Sequence, residues 1–112
     1  MKKEVVQVPY EESFLSGMMF CPDNGYFQPP YPGVCKAHGL ISNEFEKEEE
    51  IAKLFTEEGI AYFVFHFSGF FNSPGECSLQ NALTNLDAAI SYLITRQEIN
   101  PMNVGLYGVS FG

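Results

Sequence analysis

Residues 60–67, Ile60-Ala61-Tyr62-Phe63-Val64-Phe65-His66-Phe67, form the longest apolar run of the chain, interrupted only by His66. The run lacks the apolar–polar alternation of a strand with one wet face, so both of its faces call for cover. Strands of that kind belong to parallel sheets flanked by helices. The neighbouring sequence supplies the helices. Before the run, Phe45, Ile51, Leu54 and Phe55 recur at helical spacing, with Asn43 as N-cap, Glu46 three residues on, and Gly59 as the stop. After it, Leu79, Leu83, Leu86, Ile90, Leu93 and Ile94 trace one face of a second helix, capped by Ser78 and ended at Asn100-Pro101.

The remaining strands are shorter inferences from the same logic. Residues 3–8 and 13–21 are strand-like and separated by Pro9-Tyr10-Glu11-Glu12, which predicts an antiparallel hairpin. A segment with four prolines and two glycines, 22–33, leads into an extended Val34-Cys35-Lys36-Ala37 and then His38-Gly39-Leu40. Residues 103–107 are the last strand. The order β-β-β-α-β-α-β predicts an α/β fold with a mostly parallel sheet, an antiparallel N-terminal edge and flanking helices. No internal repeat is present, and residues 1–112 read as one domain.

Composition narrows the chemistry. With 46% hydrophobic and 15% aromatic residues in 112, there is enough apolar surface for a core. A formal charge of −8 disfavours nucleic acid and anionic membranes as partners, since those are bound by clustered Lys and Arg. Much of that charge lies in residues 44–50, which read as a solvated helix face. Cys21, Cys35 and Cys77 are odd in number and lack C-x-x-C spacing, which argues against a disulfide framework or zinc site and predicts buried thiols. Lys2 and Lys3 are followed by Glu4 instead of an apolar stretch, and no apolar run is long enough for a bilayer, so a soluble, cytoplasmic protein is expected.

Behind the last strand comes Gly108-Val109-Ser110-Phe111-Gly112, a G-x-S-x-G. In a sharp strand-to-helix turn that holds a serine hydroxyl clear of the sheet, the residues two before and two after the serine approach closely, and glycines avoid the collision. The pentapeptide alone is weak: at ordinary Gly and Ser frequencies a chain of this length matches by chance about 4% of the time.

Two further motifs precede it. Pro29-Pro30-Tyr31-Pro32-Gly33-Val34-Cys35-Lys36-Ala37-His38-Gly39-Leu40 resembles the third strand and H-G-x oxyanion loop of the α/β-hydrolase superfamily. Phe65-His66-Phe67-Ser68-Gly69-Phe70-Phe71-Asn72-Ser73-Pro74-Gly75-Glu76 resembles that superfamily's loop after the fourth strand, and 108–112 its nucleophile elbow. Within the superfamily the resemblance is to the dienelactone-hydrolase-like and small prokaryotic esterase branches. It implies that this chain is the N-terminal part of the fold, with strand order 1-2-4-3-5 and the C-terminal half missing. It also implies Ser110 as nucleophile and the backbone N–H groups of Leu40 and Phe111 as the oxyanion hole, with Gly108, Gly112, His38 and Gly39 as elbow and loop support. The substrate would be a small acyl compound, with no metal or cofactor; oligomeric state stays open.

In this family the acid and the histidine base follow the serine, so the chain as it stands is expected to be inactive. His38 and His66 both precede Ser110 and read as structural. The fourth-strand loop departs from the family's F-D-x-R-G-x-G pattern: His66 replaces the Asp, Ser68 the Arg and Phe71 a Gly. Phe70 and Phe71 either line an acyl pocket or pack down. A non-catalytic α/β interaction or binding domain is the alternative reading.

Overall fold

The computed structural model describes residues 1–23, 25–39 and 44–109. Five strands form one sheet: β1 (Lys2–Tyr10), β2 (Ser13–Cys21), β3 (Tyr31–Ala37), β4 (Ala61–Phe65) and β5 (Ile99–Gly108). Their order across the sheet is β1-β2-β4-β3-β5, as the sequence resemblance implied. β1 and β2 pair as an antiparallel hairpin and β2 pairs antiparallel with β4, whereas β4, β3 and β5 run parallel.

The chain therefore steps from β3 to β4 in one direction, then from β4 back across β3 to β5. Crossovers between parallel strands are right-handed, so two steps in opposite directions place their helices on opposite faces. α1 (Glu49–Thr56), entered through a 3₁₀ turn at Phe45–Glu48, packs on β4 and β2. α2 (Leu79–Thr95) packs on β1, β3 and β5. Covered on both sides, all five residues of β4 are buried. Phe63 and Phe65 enter the core beneath α2, with Val6, Val8, Leu15, Met19 and Leu93. Tyr62 and Val64 point the other way, to Phe20 and Ala52 beneath α1.

The helix ends follow their capping chemistry. The Ser78 hydroxyl accepts the Asn81 N–H at 3.1 Å at the start of α2. After α1, Gly59 takes φ +80°, its N–H reaches the Thr56 carbonyl at 3.1 Å and the Ile60 N–H reaches Phe55 at 3.0 Å. That left-handed turn suits glycine, and a Cβ there would also lie 2.5 Å from the Phe27 ring. Asn43, the expected cap of the first helix, lies outside the described residues; the helix begins as a 3₁₀ turn without a side-chain cap.

Both helices are rotated from the faces that their large apolar residues predict. α2 buries Ala82, Asn85, Ala89 and Leu93, with Leu86 and Ile90 half-buried beside them. Leu79 and Leu83 are 70% and 63% exposed and Ile94 is exposed too. Small residues on the docked stripe let the helix lie close to a sheet face already filled by phenylalanines, so fit, not leucine count, sets the rotation. In α1, Leu54 is exposed while Ala52 and Thr56 are buried.

Two polar expectations also change. Glu48, inside the acidic stretch read as solvated, is 1% exposed and holds Lys36 at 2.7 and 2.9 Å. Cys21 and Cys35 are buried thiols, their pKa values pushed up by burial to about 11 and about 12, but Cys77 is exposed. Leu93→Ala should destabilise the fold by about 2–5 kcal/mol and Leu83→Ala by less than about 0.5 kcal/mol in urea titrations. Equal losses would contradict this orientation of α2.

Candidate active site

Parallel pairing brings three strand ends to one level. Phe65 of β4 lies opposite Ala37 of β3, and Ala37 lies opposite Gly108 of β5. The ladder runs one step further, with the Val109 N–H on the Ala37 carbonyl at 3.2 Å. Thus the fourth-strand loop, the His38-Gly39 loop and the residue preceding Ser110 all leave the sheet side by side. The direction of crossover reverses at β3, and in open α/β sheets ligands bind outside the carboxyl ends of strands where this happens. Sequence-predicted Leu40, Ser110, Phe111 and Gly112 lie outside the described residues. Gly108 ends β5, and Gly39 is buried beside it in the neighbouring strand's loop.

His38 is 1% exposed, and both of its ring nitrogens are engaged. Nδ1 lies 2.6 Å from the Gly39 carbonyl, which can only accept, so Nδ1 carries the proton. The Phe67 N–H donates to Nε2 at 3.0 Å, so that nitrogen presents its lone pair. The ring therefore ties the loop after β3 to the loop after β4, with Phe67 and Phe70 packed edge-on against it at 4.8 and 4.7 Å. Burial lowers its pKa, as does Lys36, against the opposing pull of the Gly39 carbonyl and Glu48. A neutral imidazole with no free nitrogen is a staple and not a base.

Ser73 and Asn85, to which the sequence reading gave no role, tie down the fourth-strand loop. The Ser73 hydroxyl donates to the His66 carbonyl at 2.7 Å and accepts the Ser16 N–H at 2.8 Å. The Asn85 side-chain carbonyl, fully buried on α2, accepts the Ser68 N–H at 2.8 Å. Gly69 turns the chain at φ +88°, where a Cβ would sit 2.9 Å from the Cys77 nitrogen. His66 and Ser68, which replace the family's Asp and Arg, are both buried. Phe45 stacks parallel to His66 at 4.1 Å, and Phe71 leans on it at 4.5 Å. Phe70 packs down against His38. Phe71, half exposed at φ +49°, lines a cleft of about 280 Å3 with Glu44, Phe45, Glu46, His66 and Asn72. Among the described residues no group of three or more His, Cys, Asp or Glu side chains could hold a metal ion.

The fold recurs in solved structures. An α/β hydrolase from Penicillium, GrgF, superposes with a TM-score of 0.82 at 21% identity over 100% of this chain and 39% of its own. Est1E from Butyrivibrio proteoclasticus, solved with ferulic acid bound, gives 0.82 at 20% identity over 96% of this chain and 43% of its own. The fold is that of the α/β hydrolases. A lidless α/β serine hydrolase from Xanthomonas campestris matches at 0.76 and 17% identity, over 99% of this chain and 52% of its own. In sequence, the chain is 30% identical over 117 aligned positions to the quorum-quenching protein AidA of Acinetobacter baumannii. The match covers 96% of this chain and 38% of AidA, so the chain spans well under half the length of that relative. No protein-family model matches the chain. No described helix is long and apolar enough to cross a membrane.

The His38 staple has a pH signature. In the unfolded chain its imidazole titrates near the ordinary value of 6.5, while in the folded protein it holds off its proton to lower pH. The stability it lends is present above about pH 6.5 and is lost as pH falls toward the lowered folded value. Denaturation midpoints measured from pH 7.5 to 4.5 should fall more steeply for wild type than for His38→Gln; parallel curves would contradict a neutral, buried His38.

Proposed function

We propose that this chain belongs to a serine hydrolase that cleaves a carboxylic ester or related small acyl compound through an acyl-enzyme on Ser110. The observation that carries the reading is the level pairing of β3 and β5. It starts the His38-Gly39 loop beside the strand that leads into the G-x-S-x-G turn. Attack by the Ser110 hydroxyl on the substrate carbonyl forms a tetrahedral intermediate, whose oxyanion accepts from the N–H groups of Leu40 and Phe111. One such donor contributes on the order of 3–4 kcal/mol in the transition state. The base that takes the serine proton is not His38, whose nitrogens are both engaged. It is a histidine that follows the elbow, oriented by an acid, in the superfamily's chain order; it passes the proton to the alcohol that leaves as the ester C–O bond breaks, then takes one from the water that hydrolyses the acyl-enzyme.

Similarity to a quorum-quenching protein and to Est1E, solved with ferulic acid bound, supports a small-molecule substrate. A cleft lined by Phe45, Phe71 and His66, and on its polar side by Glu44, Glu46 and Asn72, opens beside the fourth-strand loop. The mechanism uses side chains and backbone donors only.

A fluorophosphonate should label the full-length protein, and Ser110→Ala should abolish labelling while lowering ester turnover by about 10⁴–10⁶-fold. A folded full-length protein that takes no label would contradict the reading and favour a non-catalytic binding domain.

A further inference from the structure

On the α1 face, directly beneath the proposed site, lies the one ion pair among the described residues with both members buried. Lys36 reaches across from β3 to both carboxylate oxygens of Glu48, at 2.7 and 2.9 Å. The Tyr62 hydroxyl of β4 donates to the same carboxylate at 2.9 Å. Above the ammonium sits the Tyr107 ring of β5, its centroid 5.9 Å from Nζ. Burial and the neighbouring carboxylate push the Tyr62 phenol upward, which keeps it a donor.

Stability alone gives little reason for this cluster. Taking both charges out of water is costly, and a well-packed apolar pair in the same space is often as stabilising or more so. Its location suggests another role. Lys36 stands two residues before His38 and opposite Tyr107 in the ladder. Tyr107 stands three residues before Ser110, and Glu48 lies in the 3₁₀ turn that returns the chain from the His38-Gly39 loop. In the same turn, Phe45 is held on the His66 ring. One cluster therefore touches β3, β4, β5 and the returning chain, each within a few residues of a loop that leaves the sheet. Hydrogen bonds of fixed length and direction set those distances more sharply than apolar contact can.

We propose that Lys36, Glu48 and Tyr62, roofed by Tyr107, are positioning residues that set the spacing between the Ser110 turn and the backbone donor of the His38-Gly39 loop. The inference rests on the serine-hydrolase reading above. It predicts an effect on the chemical step, since a displacement of about 1 Å at a reacting centre can cost on the order of 100-fold in rate.

The test uses the full-length protein, p-nitrophenyl acetate as substrate and a temperature at which every variant is folded. Glu48→Gln should lower kcat by about 10-fold or more with KM changed by less than about 2-fold, and Tyr62→Phe should lower kcat by about 3-fold. Leu93→Ala, in the core on the opposite face, should lower Tm with kcat held within about 2-fold. Lys36→Met combined with Glu48→Leu should recover Tm and not kcat. The inference is overturned if Glu48→Gln changes kcat no more than Leu93→Ala does, or if the refilled double variant restores kcat. Should Glu48→Gln fail to fold, Tyr62→Phe decides by the same comparison. A wild type that neither turns over nor takes a fluorophosphonate overturns the hydrolase reading and this inference with it; a labelled wild type with unaffected variants overturns this inference alone.

Discussion

Phe65, Ala37 and Gly108 end three parallel strands at one level, and the rest of the arrangement depends on that row of backbone hydrogen bonds. A one-residue slip of β5 against β3 would turn Tyr107 from the α1 face to the α2 face and Leu106 the opposite way. It would also carry Gly108 and Val109 a residue's length along the sheet, away from Ala37 and the His38-Gly39 loop. Side chains reinforce the register on both faces. Lys36 and Tyr107 meet on one, and on the other Cys35, Ala37 and Ile99 pack beneath α2 with Leu93.

Above the row, polar side chains stand in for water at the loops after β3 and β4. His38 joins two loops through one ring, Ser73 ties the fourth-strand loop back to β2, and Asn85 reaches it from α2. A buried loop leaves backbone groups that need partners, and these three side chains supply them. Where the resembled motif has Asp, His66 enters an aromatic stack between Phe45 and Phe71. The loop keeps a defined conformation by different contacts.

Much of the fold was legible because it is written in short-range pattern. The two-sided apolar run at 60–67 identified a central strand covered on both faces, parallel to β3 on one side though antiparallel to β2 on the other, and 13–21 gave β2 to the residue. Ser78 and Gly59 marked helix ends through local bonds that depend on neighbours only. What stayed hidden depends on docking. Leu79, Leu83 and Leu54 have the residue type of a buried face, yet the rotation of each helix is chosen by the sheet it meets. Glu48 lies in an acidic run, and nothing within that run reveals a lysine 12 residues earlier on a neighbouring strand. Ser73 and Asn85 have the composition of any loop or helix serine and asparagine. Their role exists only once the loop has folded over them.

The proposed mechanism requires the Leu40 and Phe111 N–H groups to flank an oxyanion formed at Ser110. A crystal structure of the full-length protein after reaction with a fluorophosphonate tests it most directly. The adduct should be on the Ser110 oxygen, with its phosphoryl oxygen about 3 Å from both N–H groups. A phosphoryl oxygen turned to solvent or to other donors, with His38 and the β3–β5 ladder unchanged, would contradict it.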